Sequence, residues 1–171
     1  MTRATRTLGA ALAAVMLGTG SAPAQEQTAG EVVATHGAWS VRCAGGEELC
    51  IMSQVGKDAS GKEVIELQLR KLEGANAPDG TPVPAAIQIV TPLGVLLPAG
   101  VRIKIDAQQE RAAPFQVCTP DGCVVRQPLS PGFLEELKAG ANATITMVAV
   151  PQQEVPATIS LTGFTNAFDA L

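Results

Sequence analysis

Four cysteines, a single histidine and a scatter of carboxylates are the residues of this 171-residue chain whose types invite chemistry. Cys43 and Cys50 flank a short loop that holds Gly45-Gly46, and Cys118 and Cys123 flank Thr119-Pro120-Asp121-Gly122. The second segment suits a tight turn, because Pro presets φ, Asp bonds locally and Gly accepts positive φ. It carries Cys118 back beside Cys123 on an adjacent strand, and the first loop can do the same for Cys43 and Cys50. Four cysteines permit three pairings; the local one, Cys43 with Cys50 and Cys118 with Cys123, is expected. Two other chemistries compete with it. Structural zinc prefers a gap of two to four residues between neighbouring ligands, which the second pair satisfies and the first does not. Redox pairs favour C-x-x-C beside a βαβ unit, and the sequence has neither.

His36 is the one imidazole, in principle a general base or a metal ligand. No H-x-H or H-E-x-x-H partner accompanies it, and no G-x-S-x-G elbow supplies a nucleophile. Glu47-Glu48 and Glu135-Glu136 are adjacent acids, and neighbours on a helix point apart. A glycosidase needs two facing acids and usually an aromatic platform, whereas this chain has one Trp and no Tyr. Asp106 and Asp121 fall at expected strand ends, where they finish turns, and no calcium-type loop surrounds them. Gly45-Gly46 is too short to cradle a phosphate. The sequence thus assigns no catalytic, cofactor-binding or metal residue, and it implies no cofactor. Its only site residues are the disulfide set Cys43, Cys50, Cys118 and Cys123.

The elements that must hold these residues begin behind an export signal. Arg3 and Arg6 precede a short apolar run at residues 8–18, and Ala22-Pro23-Ala24 follows. This is the layout of a secretory signal, so residues 1–24 are expected to leave by cleavage after Ala24. A bilayer span needs about 20 apolar residues, which neither this run nor any later one provides. The expected location is the periplasm or beyond it, secreted or associated with the outer membrane, where paired cysteines oxidise. The net charge of −4 becomes more negative once Arg3 and Arg6 are gone. Such a balance argues against nucleic acid and anionic membranes as partners. Four Phe and one Trp are too few for the aromatic girdles of an outer-membrane barrel.

Residues 25–36 are polar and aperiodic and read as a flexible N-terminal lead, with a single β domain over residues 37–171. From Trp39 onward, short runs alternate with period two: Trp39-Val41-Cys43, Ile65-Leu67-Leu69, Ile87-Ile89, Val101-Ile103-Ile105, Ile145-Met147 and Ile159-Leu161. That period marks strands with one wet and one buried face. Apolar sheet faces must cover each other. The expected fold is therefore all-β, an antiparallel sandwich or flattened barrel with disulfide-pinned hairpins. Val101, Ile103, Ile105, Phe115 and Val117 are expected in its core. Residues 74–84 form a long connection. Ser130, Pro131 and Gly140 bound one short helix, with Phe133, Leu134 and Leu137 buried, and residues 163–171 suggest a last turn.

An ordered set of motifs resembles the invasion-associated locus B family: Trp39 with Val41-Arg42-Cys43, Pro92-Leu93-Gly94-Val95 running to Gly100-Val101 and Ile105-Asp106, Phe115-Gln116-Val117-Cys118, Gly122-Cys123, and Ser160-Leu161-Thr162-Gly163-Phe164-Thr165. The similarity runs over residues 37–171. It implies an exported, β-rich protein of Gram-negative, mostly alphaproteobacterial, cells. The family is named for entry into host cells. It offers no agreed catalytic residues to carry over, and its matching cysteines support the disulfide reading. The function expected is a non-enzymatic envelope domain with an unknown envelope or host protein as partner, binding through residues 74–84 or the loop at 44–49. One rival is an enzyme whose pocket joins His36, Asp106 or Asp121 and a serine. Another is a scaffold that lends an edge strand.

Overall fold

The computed structural model describes residues 30–45 and 49–171. The expected signal peptide and the Glu47-Glu48 pair fall outside the described residues. Eleven strands make one sheet. They are β1 Glu31–His36, β2 Trp39–Cys43, β3 Cys50–Lys57, β4 Glu63–Lys71, β5 Ala85–Thr91, β6 Val101–Ile105, β7 Arg111–Ala113, β8 Val117–Thr119, β9 Gly122–Leu129, β10 Asn142–Ala149 and β11 Gln153–Ser160. Every pairing is antiparallel. Two helices, α1 Pro131–Ala139 and α2 Phe164–Asp169, complete the fold.

Strands run in the order β7-β6-β10-β11-β3-β4-β5-β9-β8, with β2 and then β1 branching from β3. One edge of β3 is shared: β2 takes its first half, from Cys50 to Ser53, and β11 meets it at Lys57. The two ends of the path, β7 and β8, are joined by Pro114-Phe115-Gln116 alone. So short a link spans only about 10–14 Å. The sheet therefore has to roll until its ends approach, and its apolar face becomes a single interior. Alternation works as expected along β4, β5, β6 and β10, where Ile65, Leu67, Leu69, Ile87, Ile89, Val101, Ile103, Ile105, Ile145 and Met147 are buried. Pro156 is tolerated in β11 because that strand meets β3 only near Thr158, which leaves the edge at Pro156 without a ladder to break.

Both helices form where expected. The Ser130 hydroxyl accepts from the Phe133 N–H, and Phe133, Leu134 and Leu137 face inward. Helix α2 drives Phe164 into the core, where it meets Trp39 edge-on at 5.3 Å between ring centroids. The His36-Gly37 turn and the Thr162-Gly163 turn lie backbone against backbone beside this pair. A Cβ on Gly163 would strike the His36 carbonyl, one on Gly37 would lie 2.7 Å from the Thr162 carbonyl, and both residues have positive φ. Only glycine fits such a joint.

Three expectations need correction. Residues 31–36 are not a loose lead but strand β1, paired with β2 through contacts such as His36 with Trp39. Its apolar Val32 and Val33 are exposed and a bulge interrupts the register, so no alternation betrays it. Val117 is not core: it sits on edge strand β8, nearly half exposed. Phe115 is only partly buried against the core. Strand β3 gave no alternating signal, because Ser53 and Gln54 are buried polar residues within it.

Candidate functional site

The residue types that invited chemistry are spent on structure. Disulfides join Cys43 to Cys50 and Cys118 to Cys123. Each pair also forms a register pair across a hairpin, β2 with β3 and β8 with β9. His36 ends β1 at the glycine joint. Asp106 accepts from the backbone N–H groups of Ala141 and Asn142, at 2.8 and 3.0 Å, and so ties the end of β6 to the start of β10. Asp121 lies in the β8–β9 turn, where its N–H donates to the Thr119 hydroxyl. Glu136 is more than a solvated acid: it grips Arg111 with two 2.7 Å bonds, while that guanidinium stacks 4.6 Å from the Phe133 ring centre. Glu135 stays exposed beside Lys138.

The cavity that Asp106 lines, about 290 Å³, also holds Glu135 and Glu136 but neither His36 nor a serine. No cluster of metal-ligating side chains occurs among the described residues. Two carboxyls are held below their ordinary pKa, and both brace exposed turns. The Ser60 hydroxyl, aided by the N–H groups of Lys62 and Ser60, stabilises ionised Asp58, and the Thr81 N–H does the same for Asp79. The connection at 74–84 is closed on itself by backbone bonds such as Val83 N–H to the Ala75 carbonyl.

Convergence appears instead on the outer face of the sheet. Ser40, Ser53, Gln68, Gln88 and Arg126 are register partners across β2, β3, β4, β5 and β9, and they form one transverse polar row. At about 4.8 Å per strand the row is about 19 Å long. Two adjoining hollows sharing Ile51 and Gln68 lie along it, of about 400 and 610 Å³. Arg70, Arg126, Gln68 and Gln88 line the first, over Ile51 and Ala86, and no acid among the described residues borders it. The second mixes Arg42 and Lys57 with Glu63 and Glu66, and Lys57 lies 3.9 Å from Glu63. Arg126 Nε donates to Gln88 Oε1 at 2.6 Å, and Gln88 Nε2 donates to Gln68 Oε1 at 3.0 Å.

A second polar feature closes the shared edge of β3. The Gln54 side-chain amide donates to the Ser160 carbonyl at 2.8 Å and accepts from the Ser160 N–H at 2.9 Å, and Trp39 Nε1 adds a bond to the same carbonyl. A side chain here replaces the ladder that β11 and β3 cease to make. Apart from Trp39 and Ser160, which stand in the motifs quoted from sequence, none of these polar groups was singled out. The available signal was the wet position of Gln68, Arg70 and Gln88 between buried neighbours, which says that they face outward but not that they align.

Residues 39–171 match the family model for the invasion associated locus B (IalB) protein. The chain belongs to the invasion associated locus B family. Among relatives in this family, an invasion protein B homolog of Brucella abortus (strain 2308) is 30% identical over 141 residues, covering 80% of this chain and 77% of its own. Invasion protein B of Bartonella bacilliformis is 26% identical over 149 residues, covering 84% and 76% of the two chains. The crystal structure of invasion associated protein b from Bartonella henselae has the same fold, with a TM-score of 0.63 at 21% identity over 80% of this chain and 92% of that one. The locus B motifs at Trp39, Ser160 and Phe164 meet in space at the clamp and joint described above.

Proposed function

We propose that this chain is an exported, non-enzymatic binding module of the bacterial envelope. The observation that carries the reading is the employment of the reactive side chains. Cysteines, Asp106 and Glu136 each have a structural partner, and the cavity beside Asp106 brings in no histidine or serine. General acid–base work needs a base held within hydrogen-bond reach of its target, about 3 Å, whereas His36 is built into the β1–β2 end of the fold.

Export is supported by two disulfides, which persist in oxidising compartments, and by the signal-like residues 1–24. No helix among the described residues is long and apolar enough to cross a membrane. The mature chain starts at Gln25, resides in the periplasm or beyond it, and needs no metal or cofactor. Relatives named for invasion extend the reading to host-cell contact where the bearer is a pathogen.

Two measurements test this. Mass spectrometry of periplasmic extract gives an N-terminus at Gln25; a start far from it contradicts export by this signal. Mild crosslinking in intact envelope gives a discrete adduct, while the purified chain leaves generic ester, peptide and glycoside substrates unchanged. Turnover of any of these by the purified chain, lost in His36→Ala, overturns the reading.

A further inference from the structure

The direction of the hydrogen bonds in the first hollow is forced. A guanidinium has only donors, so the Arg126 Nε–H obliges Gln88 to turn its oxygen toward it. The Gln88 NH2 group then faces Gln68, which must answer with its own oxygen, as observed. The relay leaves over the Gln68 NH2 group, the second N–H of Gln88 and the remaining N–H groups of Arg126. None of these has a partner among the described residues, nor does the guanidinium of Arg70 on the same rim. The hollow therefore presents donors, and no acid among the described residues lines it. A ligand that satisfies it must supply acceptors and negative charge, which is the chemistry of a carboxylate gripped by arginine forks.

The remaining features select among anions. The chain as a whole is acidic, with a net charge of −4. Beyond a Debye length of about 8–10 Å it repels large polyanions and anionic membranes. Within that length, the local arginines prevail. Ile51 and Ala86 offer an aliphatic floor suited to the methylenes of a Glu side chain, with no aromatic ring for a sugar to stack on. Gln68, Gln88 and Arg126 span two strand spacings, about 10 Å, which matches about three residues of extended peptide at ~3.3 Å each.

We infer that the Gln68–Gln88–Arg126 hollow is a carboxylate site that receives a short acidic peptide segment of a partner protein. This rests on the binding-module reading and gives it a face and a ligand class. The loops at 74–84 and 44–49, favoured from sequence, are not required for it.

The test titrates the full mature chain into a fluorescein-labelled peptide of alternating Glu and Ala, about six residues long, and into its Gln-for-Glu counterpart. Saturable binding of the Glu peptide, weakened by added salt, is expected. The affinity falls about tenfold or more in the Arg70→Gln/Arg126→Gln double variant, since charge-assisted bonds are lost. It is unchanged in Arg102→Gln, whose partner is Glu154 away from the hollow, and the Gln peptide does not bind. Both arginines are exposed, and circular dichroism verifies that each variant is folded. If wild type and double variant bind alike, or the Glu peptide does not bind at millimolar concentration, the inference fails. Preferential binding of oligogalacturonate or of anionic phosphatidylglycerol vesicles also overturns it, because the occupant is then a sugar or a lipid. The envelope adduct is scored separately: an adduct with no peptide binding sinks only this inference, and turnover of substrate sinks the reading beneath it.

Discussion

Gln54 spends both ends of its amide on one backbone unit, Ser160. Gln54→Leu would keep the side chain's bulk but orphan the Ser160 N–H, while Trp39 still serves the carbonyl. A buried donor left unpaired costs about 1–3 kcal/mol, and urea denaturation should show a loss in that range. The glycines give a paired test. Gly163→Ala meets the His36 carbonyl at positive φ, so its unfolding free energy should fall by more than about 1 kcal/mol. Gly132→Ala in the first turn of α1 meets nothing within 4 Å and should gain about 0.4–1 kcal/mol. At this scale the sequence was informative about identity but not employment. Asp121 and the cysteines were legible as structural residues because turn chemistry is local, whereas Asp106 ties strand ends 35 residues apart. Gln54 was not, because its partner lies 106 residues away.

Hairpins and helices were the most legible elements. Ser130, Pro131 and Gly140 bracketed α1 to the residue, since capping is a nearest-neighbour effect. Strand β1 escaped because an edge strand with exposed valines lacks a buried face to alternate against, and β3 escaped because two polar residues are buried in it. The disulfides pin elements already paired by backbone ladders. Reduction should therefore lower stability by about 2–2.5 kcal/mol for each small loop, on loop-closure grounds. Far-ultraviolet circular dichroism should nonetheless retain the strand signal below the lowered melting temperature. Loss of that signal at 25 °C on reduction would show that sulfur, rather than alternation, sets the fold. The register that aligns Gln68, Gln88 and Arg126 is likewise a property of elements, and it was hidden. Alternation states which way a side chain faces, while the alignment depends on which strands become neighbours.

For the whole molecule, the fold class was legible and the topology was not. Period-two patterning required apolar faces to cover each other, yet nothing local states that β3 is shared between β2 and β11, or that the Pro114-Phe115-Gln116 link draws the sheet's ends together. The family motifs fall at these joints: Trp39 and Ser160 at the clamp, Gly163 at the turn contact. They hold the rolled sheet together, and under the proposed reading the outer face carries binding. The most direct test is complementation of a deletion strain by His36→Ala and by Arg70→Gln/Arg126→Gln, with folding and export verified for both. The account predicts full restoration of the envelope phenotype by His36→Ala and failure by the arginine double variant. Failure of a folded, exported His36→Ala beside restoration by the double variant would contradict it.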